Sequence, residues 1–382
     1  TGSEIDSAVL LFFPSPASFT GEDIVEFQTH GSVAVCRQVL RCLGELGLRA
    51  AEAGEFSLRA FQNGKMDLVD VEALGDLLSA ETEAQLRLTR VQRSNLHQAA
   101  GRWRALLLEA LALTEAHIDF SDEEDVVSRV DDVTCELLTV LQREIDAAIQ
   151  TMTFGERLRR GVRIAIAGPP NAGKSSLLNA LAARDVAITS PVPGTTRDVI
   201  EVHLDLGGFP VVLADTAGLR RSSDEIEAMG IERAQAAIET ADLVLWLTGI
   251  DQPLNCPYPD AMVVRTKADL IDSDSNQSQG SELQLSVLSG FGMDLLVARL
   301  TETVKILLGG SLDLVVVAHE RQAGELRMAV AALRRAVAFP VEMLELRAEE
   351  LRRASRSLDR LTGRIDHDEV LGAIFSRFCI GK

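Results

Sequence analysis

The sequence predicts a multidomain chain of mixed α/β and all-α parts: a small N-terminal α/β unit, a helical domain split in two, and a doubly wound, mostly parallel sheet inserted between the halves. Three observations carry this expectation. Strand-like and helix-like apolar patterns alternate over residues 156–309, as a doubly wound sheet demands. Apolar residues at three- and four-residue steps dominate 63–155, and helical patterns return over 310–382. Short apolar runs punctuated by glycine fill residues 1–62.

In chain order, Ala8-Val9-Leu10-Leu11-Phe12-Phe13 and Ile24-Val25-Glu26-Phe27 read as strands. The segment Ser32 to Leu46 reads as a helix through Val35, Val39, Leu43 and Leu46. Leu86, Val91, Trp103, Leu106, Leu107, Leu111 and Ile118 mark the long amphipathic stretch that follows. The inserted part offers strands at Val162–Ala167, Val199–Leu206, Val211–Ala214, Leu243–Thr248, Met262–Arg265 and Glu282–Leu285. Gly207-Gly208 signals a hairpin, hence one antiparallel edge.

A length of 382 residues suits two or three domains, and 46% hydrophobic content excludes wholesale disorder. No apolar stretch reaches membrane-spanning length and no signal peptide opens the chain, so the expectation is a cytoplasmic protein with no membrane partner. Thr1 stands where an initiator Met would, so a start or a longer N-terminal segment is expected to be missing. Cys36, Cys42, Cys135, Cys256 and Cys379 lack CxxC spacing, which argues against a disulfide framework or a zinc site. A net charge of −19 disfavours general polyanion binding, so any RNA contact must be local, transient or supplied by a partner. Arg157, Arg159 and Arg160, and again Arg352, Arg353 and Arg356, read as solvated helix faces or termini.

The chemistry is concentrated after the strand Val162–Ala167. Gly168-Pro169-Pro170-Asn171-Ala172-Gly173-Lys174-Ser175 has the spacing of a phosphate-binding loop: backbone N–H groups of Asn171 to Ser176 wrap phosphates, Lys174 adds a charge and Ser175 offers a hydroxyl to Mg²⁺. Asp215-Thr216-Ala217-Gly218 closes a later strand, where Asp215 would reach Mg²⁺ through water and Gly218 would turn toward a γ-phosphate. Thr266-Lys267-Ala268-Asp269 resembles the guanine-reading Asn-Lys-x-Asp, with Asp269 accepting from guanine and the Lys267 stem covering the base. Thr replaces the usual Asn. Ser286-Val287-Leu288 holds the position of the last guanine-contacting loop. Gly194-Thr195-Thr196-Arg197-Asp198 is a candidate first switch, with Thr196 the better Mg²⁺ ligand by position and Thr195 the alternative. The set points to GTP, and to a Ras-like P-loop G domain. Leu219 occupies the place of the Gln that orients water in many GTPases, leaving Arg220, Asp224, Glu225 and Glu227 as nearby candidates.

Beyond these motifs the chain resembles the MnmE (TrmE) family of tRNA-modification GTPases, within the wider TrmE-Era-EngA group. The segments that carry the resemblance are Ser18-Phe19-Thr20-Gly21-Glu22-Asp23 with Gln28-Thr29-His30-Gly31, Gly54-Glu55-Phe56-Ser57 with Arg59-Ala60-Phe61, and Phe378-Cys379-Ile380-Gly381-Lys382. The resemblance implies a folate-binding, dimerising domain over 1–62, a discontinuous helical domain over 63–155 and 310–382, and a G domain over 156–309. It implies a homodimer, a heterotetramer with an FAD-dependent MnmG-type flavoprotein, tRNA as substrate, and modification at carbon 5 of the wobble uridine with a tetrahydrofolate one-carbon donor. Glu26, Lys65 and Lys382 match folate contacts; a further family arginine lies upstream of Thr1. Asn171, Ser190, Val192 and Thr195 match ligands of an activating K⁺, and Glu227 matches the water-orienting acid. Cys379 is either a thiol of the modification chemistry or a packed, inert cysteine. The rival reading is a ribosome-assembly or scaffold GTPase with a helical stalk, which leaves the terminal Cys-Ile-Gly-Lys unexplained.

Overall fold

A central parallel strand requires branched and aliphatic residues buried on both faces, and Val162–Ala167 supplies them at every position but the exposed Arg163. In the computed structural model this strand is the third of eight among the described residues. Residues 4–119, 124–184, 186–188, 201–215, 235–270 and 283–363 are described, without the side chains of 124–130 and Asp215. The chain divides into two compact units. One comprises Thr1–Leu78, Arg93–Ile149 and Glu320–Lys382; the other comprises Ser79–Gln92 and Gln150–His319.

The first unit opens with antiparallel β1 (Val9–Phe13) and β2 (Ile24–Gln28), in a register that sets Leu11 opposite Glu26. Helix Val33–Glu45 follows. Val9, Leu10, Phe12, Val25 and Phe27 are exposed on this two-stranded sheet. The remainder of the unit is helical: Glu55–Gln62, Leu68–Ser79, the greater part of Glu83–Asp119, Glu124–Gln150, Glu320–Ala338 and Leu344–Leu361. Among the described residues its interior contains a buried charged junction around Glu72. Arg321 donates to both Glu72 carboxylate oxygens at 2.6 and 2.9 Å, Gln322 adds a third bond at 2.8 Å, and Arg321 also caps the carbonyls of Arg360 and Leu361.

Along Glu83–Asp119 the buried stripe runs through Leu88, Gln92, Leu96, Ala100, Trp103, Leu107, Ala110, Thr114 and His117. Trp103 and Leu107 are where the sequence pattern predicts them, whereas Leu86 is exposed. The stripe includes a Gln, a Thr, a His and two Ala, so hydrophobicity alone traces only part of it.

The second unit carries a six-stranded sheet in the order β4-β5-β3-β6-β7-β8: β3 is Val162–Ala167, β4 Glu201–Leu206, β5 Phe209–Asp215, β6 Leu243–Gly249, β7 Met262–Thr266 and β8 Leu283–Gln284. Only β4 runs antiparallel, joined to β5 by Gly207-Gly208 with φ of 65° and 90°, the conformation of a tight two-residue hairpin. Residues 199, 200 and 282, also expected in strands, lie outside the described residues. Strand order reverses at β3, which places a crevice beyond its carboxyl end. Ile164, Ile166, Leu177, Leu178, Leu181, Leu213, Leu245, Leu296 and Leu300 are buried in one core. The 250–261 connection from β6 to its parallel neighbour β7 contains no helix. Arg265 holds this loop by donating to the carbonyls of Gln252 and Ile250, and Tyr258 packs against Trp246.

Both basic clusters are paired within the chain, the second on a solvated helix face. Arg157 and Arg160 pair with Asp242, and Arg159 donates to the Ala318 carbonyl. Arg352, Arg353 and Arg356 all pair with Glu349. Among the described residues no helix is long and apolar enough to cross a membrane.

Candidate functional site

β3 ends directly in the phosphate loop. Gly168 has φ of 144°, and a Cβ there would lie 2.1 Å from the Leu247 carbonyl oxygen of β6, so neither the conformation nor the space admits another residue. Asn171 adopts φ of 62° with its side chain exposed, while Ala172 beside it is fully buried. Helix Lys174–Ala182 starts at once after Gly173, directing its first N–H groups and the positive end of its dipole at the loop. Lys174 Nζ donates to the carbonyls of Gly168 and Pro169 at 2.8 and 2.9 Å, which stretches the side chain back across the loop. Ser175 and Ser176 form the first turn of that helix. Ser175 thus stands where the phosphate loop's Mg²⁺-binding hydroxyl is required.

Asp215 is the last residue of β5, and its backbone is in register with Ile166, two residues before Gly168. Thr216, Ala217 and Gly218, together with Leu219, Arg220, Asp224, Glu225 and Glu227, lie outside the described residues. So do Ser190, Val192, Thr195 and Thr196, and Cys379 and Lys382.

The residues expected to read the base follow β7 and β8. Thr266, 2% exposed, donates its hydroxyl to the Ala172 carbonyl at 2.8 Å. The Thr in place of Asn therefore ties the base-reading loop to the phosphate loop, satisfying a buried acceptor. Lys267 follows with φ of 62°, an unusual conformation for a residue with a side chain, and its ammonium lies 3.5 Å from Asp251. Asp269 accepts from the Ser286 hydroxyl at 2.5 Å through Oδ1, leaving Oδ2 to accept from a base edge. Ser286 is itself fully buried; its N–H donates to the Phe291 carbonyl and its carbonyl accepts from Gly290. Val287 is half-buried, and the Leu288 side chain is 90% exposed. The arrangement joins a dipole-backed anion cradle to a carboxylate held rigid for an N–H-bearing base.

Sequence reasoning did not foresee Asp251 or the Leu247 carbonyl. Asp251 had a faint signal, an acid just past a buried strand on the same sheet edge as Lys267. The Leu247 contact is made by backbone and leaves no residue-type signal.

At the first unit's candidate site, the Ser18–Asp23 motif folds into a closed loop. Ser15 N–H donates to Asp23, Ser15 Oγ donates to the Gly21 carbonyl, and Asn63 donates to the Thr20 carbonyl. Lys65 Nζ donates to the Pro16 carbonyl at 2.8 Å, and its stem runs alongside Gly21. Glu26 stands exposed on β2. Arg49 and Arg59 grip Glu55 of the Gly-Glu-Phe-Ser motif, and these bonds, Arg49's first, hold its carboxyl well below the usual carboxylate range.

Comparison with known proteins matches both units. The family described as GTP-binding protein TrmE N-terminus matches residues 1–65, and the MnmE helical domain matches residues 68–379. The tRNA modification GTPase MnmE of Azorhizobium caulinodans is 47% identical over 386 residues, covering 100% of this chain and 87% of that protein. Its counterpart in Beijerinckia indica is 48% identical over 389 residues, covering 100% and 84%. That of Brucella canis is 45% identical over 387 residues, covering 100% and 87%. With this similarity along its whole length, and a phosphate-loop sequence at the end of β3 of its doubly wound sheet, the chain belongs to the MnmE (TrmE) family of tRNA modification GTPases.

Proposed function

We propose that this GTPase modifies carbon 5 of the wobble uridine of certain tRNAs as a homodimer, in a heterotetramer with an FAD-dependent flavoprotein of MnmG type, using a tetrahydrofolate one-carbon donor. The observation that carries the reading is the extent of the similarity: relatives named tRNA modification GTPase match 100% of the chain. That match takes in the Ser18–Asp23 loop, which a GTP switch alone has no use for. In this reading residues 1–62 bind folate and dimerise, 63–155 and 310–382 form the helical domain, and 156–309 form the G domain. The exposed apolar residues of β1 and β2 favour a dimerising role.

Ser175 and Thr196 would hold Mg²⁺, with Asp215 acting through water. Asn171, Ser190, Val192 and Thr195 would hold K⁺. The exposed Asn171 amide in its left-handed turn suits a neutral oxygen donor beside the phosphates. A bound K⁺ supplies positive charge where phosphate charge develops. Lys267, Asp269 and the Ser286–Leu288 loop read the base, and Thr266 ties the base-reading loop to the phosphate loop through the Ala172 carbonyl. Glu227 orients the attacking water, and Cys379 takes part in the modification chemistry. Glu26, Lys65 and Lys382 contact the folate.

The deciding experiment is the wobble-uridine content of tRNA from cells lacking this gene. Loss that is restored on returning the gene supports the reading, and unchanged modification refutes it. In the purified protein, K⁺ in place of Na⁺ should accelerate GTP hydrolysis; equal rates would remove Asn171 from the mechanism. Glu227→Ala should lower turnover with nucleotide affinity unchanged.

A further inference from the structure

Between helix Met152–Arg160 and β3 stands a single residue, Gly161, with φ of 83°. A glycine at a helix-to-strand junction is the point where the backbone turns most easily, and here apolar packing of Leu158 and Val162 on either side leaves the polar restraint across the junction to one group. Asp242, its side chain 6% exposed, spans it. Before the hinge, Arg157 Nε donates to Asp242 Oδ1 at 3.0 Å and Arg160 Nη2 donates to both carboxylate oxygens at 3.0 Å. After the hinge, the Arg163 N–H donates to Oδ2 at 2.9 Å, and the Asp242 N–H returns a bond to the Arg163 carbonyl at 2.8 Å. The bonds that the Asp242 carboxylate accepts are charge-assisted, and its own side chain is almost fully buried.

The far end of β3 is the phosphate loop. The near end, helix Met152–Arg160, is where the chain leaves this unit. Thr151 Oγ1 accepts from the N–H groups of Val316 and Val317, Arg159 donates to the Ala318 carbonyl, and Gln92 donates to the Val316 carbonyl. Residues 92, 150 and 319 are three of the unit's boundaries. The helix is thus stitched to the segments through which the unit connects to the rest of the chain. Across Gly161 it is fixed to the nucleotide-bearing strand by the Asp242 carboxylate, beside the apolar packing of Leu158 into the core that holds Val162 and Ile164.

We propose that Asp242 is a positioning residue that locks the Gly161 hinge, so that movement of the nucleotide-bearing sheet is delivered to the rest of the chain instead of being absorbed at the hinge. The inference rests on the functional reading above. Asp242 touches neither phosphate loop nor guanine loop, so its removal should separate the two activities. Coupling carried through such a contiguous network requires this kind of perturbation for its demonstration.

The test compares Asp242→Asn and Asp242→Glu in the full protein. Two quantities are measured: GTP hydrolysis by the purified chain, and wobble-uridine modification in cells lacking the gene and supplied with each variant. Asp242→Asn should hydrolyse GTP within about twofold of the parent while modification falls about tenfold or more. Asp242→Glu, which keeps the charge, should recover part of the modification. Parental modification by Asp242→Asn would overturn the proposal. So would an equal fall in hydrolysis and modification, which would make Asp242 a stability element of the sheet unit. Failure of the parent chain itself to restore modification would instead count against the functional reading.

Discussion

At the phosphate end of the nucleotide site the geometry is written in backbone: β3 runs into Gly168, whose φ of 144° and 2.1 Å clearance from Leu247 leave no alternative residue. At the guanine end it is written in side-chain hydrogen bonds, Thr266 to the Ala172 carbonyl and Ser286 to Asp269. The difference teaches how each end tolerates change. A backbone cradle fails outright when one atom is added, whereas a side-chain network loses affinity bond by bond.

That contrast can be broken at graded positions. Gly168→Ala should have the largest effect, about 3 kcal/mol or more from steric conflict and backbone strain, abolishing measurable GTP binding. Calorimetric titration with GTP checks it, and near-parental affinity would show that β6 can yield. Asp269→Ala should come next. Losing a carboxylate acceptor costs about 2–3 kcal/mol of affinity for GTP, and the same titration should find the triphosphate moiety contributing as before.

Thr266→Val should cost less, about 1–2 kcal/mol, because the Ala172 carbonyl is left buried without its donor. The loss should be visible in thermal melts as well as in affinity, since the bond belongs to the protein and not to the ligand. An unchanged melting temperature would mean another group satisfies that carbonyl. Asp251→Asn should matter least: the pair with Lys267 spans 3.5 Å at a half-exposed surface, worth about 0.5 kcal/mol or less and weakened by salt.

The same contrast explains how far the sequence could be read. The phosphate loop is legible because its constraints select residue types: glycine where Cβ cannot fit, lysine and serine where charge and hydroxyl are needed. The sheet is legible because unbroken apolar runs and Gly207-Gly208 admit few structures. The Thr266 bond was not legible, since a hydroxyl at that position looks like a shortened amide until the Ala172 carbonyl is found 2.8 Å away. The helix Glu83–Asp119 was half legible, because Gln92, Thr114 and His117 share the buried stripe with Leu96 and Trp103. The missing helix between β6 and β7 left a clue only in the short, proline-containing segment that Arg265 pins down.

In the proposed function Asp269, aimed by Ser286, is the group that selects guanine. Hydrolysis of GTP and of xanthosine triphosphate by Asp269→Asn tests it most directly. Xanthine carries a carbonyl where guanine carries its amino group, so an amide at 269 can donate to it while a carboxylate cannot. The variant should lose GTP hydrolysis and gain hydrolysis of the xanthine nucleotide; retained preference for GTP would remove Asp269 from base selection.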